Sequence, residues 1–310
     1  MQEILRSTCR RLLEEGAVQV VIGYGQDDPA GPVYPVFVTR REDVDRLVWN
    51  DQCLPNLVKY LTRKEIRALG KPAIVVKGCD QRALVVLEKE SQIDRAAMVV
   101  IAMACQGVGR PREAKCQACD VHQPATADQV IGQADNPPLS PEQRYRDLGG
   151  KGDSPRLCDA LGERAPAEGR SRQMGTVPFS PLDRSADERM AYWKEELARC
   201  VKCYACRQVC PLCYCERCIV DKNRPTCIDT SATLKGNFAW HITRAFHLAG
   251  RCVGCDECTR ACPVGINLRL LNLALAQAAE ANFGFRAGMK PDAEPLIGSY
   301  SQQDQETFIQ

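Results

Sequence analysis

Two stretches of the sequence carry the same arrangement of cysteines. Cys200, Cys203, Cys206 and Cys210 are separated by two, two and three residues and followed by Pro211, and Cys252, Cys255, Cys258 and Cys262 repeat the spacing before Pro263. Two-residue gaps let a chain curl around an iron–sulfide cube and aim three thiolates at three irons, with backbone N–H groups left over for the sulfides. The proline then turns the chain away. In runs of this type the fourth cysteine ligates the other of two clusters. The spacing therefore assigns Cys200, Cys203, Cys206 and Cys262 to one [4Fe–4S] cluster, and Cys252, Cys255, Cys258 and Cys210 to a second. Zinc is the competing metal, but its structural sites use separated cysteine pairs rather than a run of four ending in proline.

Other cysteines are less tightly patterned. Cys213, Cys215 and Cys218 follow the first run at once, with Cys227 nine residues further on. These four either hold additional metal, as a cluster or as zinc, or pack against the neighbouring cubane. Nearer the amino terminus, Cys79 and Cys105 each follow an apolar, strand-like run, and Cys116 and Cys119 form a C-x2-C pair. Strand ends and a following loop converge on one edge of a sheet, where α/β proteins bind ligands, so Cys79, Cys105, Cys116 and Cys119 form a candidate third [4Fe–4S] site. Cys9 and Cys53 read as ordinary helix and loop residues, Cys158 as a bystander, and His122, His241 and His247 as lacking acid–base partners. No G-x-G-x-x-G fingerprint or phosphate loop is present, and Gly23-Tyr24-Gly25 reads as a turn.

The whole composition agrees with metal thiolates. Nineteen cysteines in 310 residues is an odd number for a disulfide scaffold, and cytosolic thiols are kept reduced. A net charge of +2 argues against nucleic acid as the main partner. No apolar run approaches a membrane span, and Met1–Arg6 lacks the pattern of a secretory signal, so a cytoplasmic protein without membrane insertion is expected.

The elements that must position these cysteines fall into two groups. Residues 1–131 read as an α/β (or α+β) domain with a central mixed sheet. Helices are expected over Gln2–Glu15, Leu54–Leu69 and Asp80–Lys89, and strands over Val18–Ile22, Val33–Val38, Ala73–Val76 and Met98–Ala104. Residues 132–185 are rich in glycine and proline and read as a linker or surface excursion. Residues 186–282 read as an all-α dicluster ferredoxin domain. Its first helix, Ala186–Arg199, turns Met190, Trp193 and Leu197 inward. A second is marked by Phe238, Ile242, Ala245, Phe246 and Ala249, and a third runs over Leu268–Ala281. The tail, 283–310, is expected to wrap a neighbour or its own domain.

The spread of the two runs, with a helix between Cys210 and Cys252, resembles the helical ferredoxin domains of the succinate dehydrogenase iron–sulfur subunit and of the heterodisulfide reductase small subunit over about 190–280. The segments Gly78-Cys79-Asp80-Gln81-Arg82-Ala83-Leu84, Cys105-Gln106-Gly107 and Cys116-Gln117-Ala118-Cys119, with Asp128 and Gly132 downstream, resemble the beta-subunit family of coenzyme F-420 hydrogenases and dehydrogenases over about 18–135. That resemblance implies that Cys79, Cys105, Cys116 and Cys119 ligate a [4Fe–4S] cluster beside FAD. The family's proline before the first of these cysteines is replaced here by Gly78.

A cubane held by four thiolates carries one electron and has no open coordination position, while a flavin converts hydride chemistry into single electrons. The expected function is therefore an iron–sulfur, flavin-linked electron-transfer subunit of a larger redox complex. It would relay electrons between a formate dehydrogenase- or hydrogenase-like enzyme and a heterodisulfide-reductase-like partner. The alternatives are a flavin-dependent catalytic subunit acting on a diffusible cofactor, such as coenzyme F-420 or a nicotinamide, and a zinc-bound structural protein.

Overall fold

The computed structural model describes residues 1–146, 185–218, 220, 229 and 231–299. Cys158 and Cys227, and most of the expected Gly/Pro-rich excursion, lie outside the described residues.

The amino-terminal part is a five-stranded sheet flanked by helices. Helix α1 (Gln2–Glu14) leads into β1 (Val20–Gly25), and β2 (Tyr34–Val38) folds back antiparallel to it, pairing Ile22 with Phe37. Two 3-10 segments follow, Arg41–Arg46 and Leu57–Thr62, and then a single helical turn, α2 (Lys64–Arg67). Strand β3 (Pro72–Val76), helix α3 (Gly78–Lys89) and strand β4 (Val99–Met103) make a parallel crossover unit. A short α4 (Ala114–Gln117) precedes the edge strand β5 (Gln129–Ile131). The strand order is β2-β1-β3-β4-β5, and only β2 is antiparallel. A sheet covered on both faces needs nearly continuous apolar strands, and β1, β3 and β4 are buried almost throughout. The mixed sheet with helices is the expected α/β arrangement.

Gly23-Tyr24-Gly25, expected as a turn, is instead the second half of β1, paired with Val36, Pro35 and Tyr34 of β2. Two further local expectations need correcting. A single helix over Leu54–Leu69 is replaced by the 3-10 segment and α2, separated by extended backbone at Arg63. Asn56 caps the 3-10 segment, its Oδ1 accepting from the Val58 N–H at 3.1 Å. Leu57, Val58, Lys59 and Leu61 are all buried, a nearly unbroken run that the single apolar stripe of an amphipathic helix does not provide. The second correction is β5, too short to show as a periodic run. Its register is pinned by Asp128, whose carboxylate accepts from the Val100 N–H at 2.7 Å and from Arg95 at 2.9 Å.

After α5 (Pro141–Arg146), the described elements are helical: α6 (Ala186–Ala198), α7 (Ala205–Val209), α8 (Leu234–His247), α9 (Glu257–Arg260) and α10 (Leu268–Phe283). α6 starts on a capping box between Ser185 and Glu188 and buries Trp193 and Leu197, while Met190 stays exposed. On α8 the inward face differs from the expected apolar stripe. Phe246 is 58% exposed, whereas Asn237, Trp240, His241 and Arg244 are buried. That face meets the cysteine loops, which call for donors and a cation rather than more apolar surface.

The two parts share a core. Cys210, Leu212, Leu248, Val253, Cys255 and Ala287 pack into the same apolar cluster as the sheet residues. The tail lies on its own chain as far as residue 299. Arg286 pairs with Asp120 at 2.8 Å, and Gly288, at φ +71°, passes so close to the Arg82 carbonyl that a Cβ would stand 2.1 Å from it.

Candidate metal centres

The two cysteine runs adopt the same backbone. In the first, Lys202 and Tyr204 on either side of Cys203 have φ of 56° and 58°. In the second, Gly254 and Asp256 on either side of Cys255 have φ of 70° and 65°. Left-handed backbone at a non-glycine residue costs of order 1–3 kcal/mol and persists where surrounding structure enforces it. Its recurrence at equivalent positions makes two like-shaped loops. Each then enters a short helix that carries its third cysteine, Cys206 on α7 and Cys258 on α9, and the two helices pack together.

This packing brings residues of each run to the other. Cys200, Cys203, Cys206 and Cys262 line one cavity of about 360 Å³, walled by Trp240, His241, Ile266 and Leu268. Two backbone N–H groups donate to its sulfurs, Lys202 to Cys200 at 3.3 Å and Ile266 to Cys262 at 3.4 Å. His241 Nε2 lies 3.3 Å from Cys200 Sγ, and burial, reinforced by Arg244 and Lys202, holds its pKa down to about 3. His241 was not recognisable from the linear order of residues because its partner is a sulfur forty-one residues away.

Cys210 and Cys255 are buried in the shared core beside Cys252, and the side chain of Asn272 donates to Cys258 Sγ at 3.7 Å. The backbone N–H groups of Gly254 and Glu257 donate to Cys252 and Cys255. Cys213 also sits here. Its hydrogen bond with Cys210 and the Arg244 guanidinium lower its pKa against the opposing effect of burial. Cys215 is exposed, and Cys218 is half-buried against the second apolar cluster, with Trp193 and Trp240.

The amino-terminal four also meet. Cys79 begins α3 just beyond β3, Cys105 follows β4, and Cys116 and Cys119 flank the end of α4. All four line a cleft of about 930 Å³, part of it open to solvent, together with Cys252, Lys77, Arg82, Lys115, Arg269 and Arg286. Cys116 accepts from the Val108 N–H at 3.4 Å, and the Cys105 N–H is held by the His122 carbonyl at 2.9 Å. Gly78 permits the convergence, since a Cβ there would stand 1.8 Å from the Val121 carbonyl oxygen.

Beneath this cleft lies a buried polar trio. Lys77 Nζ donates to Tyr24 Oη at 2.6 Å, Asp80 Oδ2 at 2.9 Å and the Pro55 carbonyl at 2.7 Å. Further lysines cross between the parts of the chain. Lys115 Nζ donates to the Cys255 carbonyl at 2.9 Å and Lys59 Nζ to that of Cys213 at 3.2 Å. None of these cations was singled out in the sequence, because their partners are backbone carbonyls and distant side chains.

The donor set fits an iron–sulfur group. No described cysteine forms a disulfide. Burial pushes the Cys206 thiol up to about 11 and Cys258 up to about 12, so a bare thiolate there is costly and a bound cation would offset that cost. Among the described residues no three His, Cys, Asp or Glu close around a point for one metal ion; Cys79, Cys105, Cys116, Cys119 and Cys252 stand around one cleft and Cys200, Cys203, Cys206 and Cys262 around another, and Arg269, on the first, has its Nε buried without a hydrogen-bond partner.

No family model matches the chain. The curated "F420-dependent formate dehydrogenase 1 subunit beta" of Methanococcus maripaludis is 22% identical over 93% of this chain and 90% of its own length. The "F420-dependent formate dehydrogenase subunit beta" of Methanocaldococcus jannaschii is 30% identical over 34% of this chain and 27% of its own. The chain resembles the beta-subunit family of coenzyme F-420 hydrogenases and dehydrogenases. Within that resemblance, Asp128 and Gly132 have a visible structural part. Asp128 fixes β5 to β4, and Gly132, at φ +87°, lets the chain leave the sheet beside Met1. Among the described residues no helix is long and apolar enough to cross a membrane.

Proposed function

We propose that this protein is an iron–sulfur electron-transfer subunit of an oxidoreductase complex, with three [4Fe–4S] sites: Cys79/Cys105/Cys116/Cys119, Cys252/Cys255/Cys258/Cys210 and Cys200/Cys203/Cys206/Cys262. The observation that carries this is the continuity of the three sets. Cys252 lines the cleft of the amino-terminal four, and α9, which carries Cys258 of the second set, packs against α7, which carries Cys206 of the third. A cluster held by four thiolates supplies one-electron transfer. The chain's part is to hold the sulfurs, cover them from water and surround them with donors that tune their potentials. Cys203 is the exposed member of its set, which puts the end of the series at the surface, where a partner protein would meet it.

The two proposed redox partners are a formate dehydrogenase- or hydrogenase-like subunit and a heterodisulfide-reductase-like one, in the cytoplasm. The names of the relatives support the first; the second rests on the likeness of the paired runs to helical ferredoxin domains. FAD is proposed for the cleft beside Cys79, as the resemblance to the coenzyme F-420 family implies. A second reading follows from the names of the relatives: a catalytic subunit that exchanges hydride with coenzyme F-420 or a nicotinamide.

Anaerobic purification with iron, sulfide, zinc and flavin analysis tests the proposal. About twelve irons with matching sulfide are expected, four for each cubane. Zinc without sulfide would refute it. Turnover of a soluble cofactor by the isolated chain would favour the catalytic reading.

A further inference from the structure

We propose that His241 donates a hydrogen bond from Nε2 to Cys200 Sγ and so raises the reduction potential of the cluster held by Cys200, Cys203, Cys206 and Cys262. The inference rests on that set holding a [4Fe–4S] cluster, as proposed above.

Helix α8 meets Cys200 twice. Asn237 and His241 stand one helical turn apart on its buried face, at 0% and 2% exposure. The Asn237 side-chain amide donates to the Cys200 carbonyl at 2.8 Å, which fixes the backbone of that cysteine, and His241 Nε2 lies 3.3 Å from its sulfur. The imidazole is itself held by packing. The Trp240 ring meets it edge-on at a centroid distance of 4.7 Å and meets the Tyr204 ring at 5.3 Å. His241, Trp240 and Tyr204 all line the cavity of the four cysteines.

Two observations place the proton on Nε2. A thiolate that ligates iron carries no proton, so the proton shared by the two atoms belongs to the nitrogen. His241 Nδ1 is buried without a partner. A proton there would be an orphaned buried N–H, which folded proteins avoid, whereas the Nε2–H tautomer leaves only a lone pair unmet. At the other carboxy-terminal site the side chain that reaches a sulfur is the Asn272 amide, at 3.7 Å from Cys258. Cys200 thus has the closer side-chain donor, in addition to the Lys202 N–H at 3.3 Å.

Reduction adds one electron and one negative charge to the cluster and breaks no bond. A hydrogen bond into a ligand sulfur strengthens as that sulfur gains negative charge, so it favours the reduced form. The step as written moves no proton. His241 acts through Cys200, and its part is that of a positioning residue.

The test uses the full chain purified anaerobically. His241→Phe keeps a ring but no donor, and His241→Gln keeps a donor near the place of Nε2. Each is titrated with dithionite in the presence of mediators and followed by EPR, the signals being assigned with Cys203→Ser and Cys255→Ser. His241→Phe is expected to lower the reduction equilibrium constant of the cluster assigned by Cys203→Ser by about threefold or more, the scale of part of one hydrogen bond. The other two clusters should stay within about twofold, and His241→Gln within about twofold throughout. Unchanged potentials in His241→Phe, an equal shift of all three clusters, or a drop in His241→Gln as large as in His241→Phe would overturn the inference. If His241→Phe does not hold its iron, unaltered protein labelled with 15N-histidine decides. Coupling of a histidine nitrogen to the signal assigned by Cys203→Ser, lost in His241→Gln, supports the inference, and its absence overturns it. An unaltered protein without iron and sulfide would refute the cluster reading itself, and this inference with it.

Discussion

Lys77 Nζ stands 2.9 Å from Asp80 Oδ2 with side-chain exposures of 2% and 0%, directly under the turn that presents Cys79. The two residues also bond through the backbone, since Asp80 Oδ2 accepts from the Lys77 N–H at 3.3 Å and so closes the first turn of α3. Tyr24 Oη completes the arrangement, donating to the Pro55 carbonyl at 2.9 Å. A cation, an anion and a phenol thus tie β1, the 55–57 turn and α3 together beneath the amino-terminal cysteines.

Lys77→Met would strand the Asp80 carboxylate, and breaking one side of a buried pair costs about 3–5 kcal/mol. The expected result in anaerobic urea unfolding is a loss of that size. The double variant Lys77→Met/Asp80→Leu should recover part of it. A double variant as unstable as the single one would show that stranded charge is not the cause.

Gly78→Ala would put a methyl group against the Val121 carbonyl, in the loop that follows Cys119. Overpacking of this kind costs about 1–3 kcal/mol, and here it pushes Cys79 and Cys119 apart. Iron should fall by about four per chain, one cubane's worth, while the EPR signals of the other two sites persist. Full iron content in this variant would mean that the close approach is not needed.

Cys262→Ser separates the crossed assignment from an uncrossed one. Cys262 lines the cavity of Cys200, Cys203 and Cys206, beyond its own run. Its substitution should alter the same EPR signal as Cys203→Ser and leave that of Cys255→Ser unchanged. Agreement with Cys255→Ser instead would return Cys262 to its neighbours in sequence.

Cys9 gives a pH signature away from any proposed ligand. Burial raises its pKa from 9.0 to about 12. Below pH 9 the thiol is protonated in folded and unfolded chains alike. Between pH 9 and 12 the unfolded chain loses the proton first, so stability falls as pH rises, by about 1.4 kcal/mol per pH unit for one group. Cys9→Ala should remove that part of the slope without changing iron content. Equal slopes for the two proteins would contradict the burial argument, and loss of iron would make Cys9 a ligand.

Much of this was legible in the linear order of residues. Apolar runs bounded by glycine and charge marked β1, β3 and β4, and the repeated spacing marked both cysteine loops, because strand burial and loop curvature are local properties of a few neighbouring residues. Elements whose form depends on distant partners were not legible. β5 needs Asp128 bonded to β4, and the 54–69 segment breaks into pieces because Leu57, Val58, Lys59 and Leu61 are all buried. The face of α8 was read from Phe238, Ile242, Ala245, Phe246 and Ala249; Ala245 is buried and Phe238 packs on the second apolar cluster, but Phe246 is exposed and the fold also turns Asn237, His241 and Arg244 inward.

The sequence by itself determined which side chains bear sulfur and how each short loop must curl around what it binds, because two-residue gaps leave the backbone few other shapes. Tertiary structure decided which sulfurs meet. Cys252 faces the cleft of Cys79, and Cys262 faces that of Cys200. Those meetings join residues tens to hundreds of positions apart, and only the packing of α7 against α9 and of both parts around one core brings them within reach.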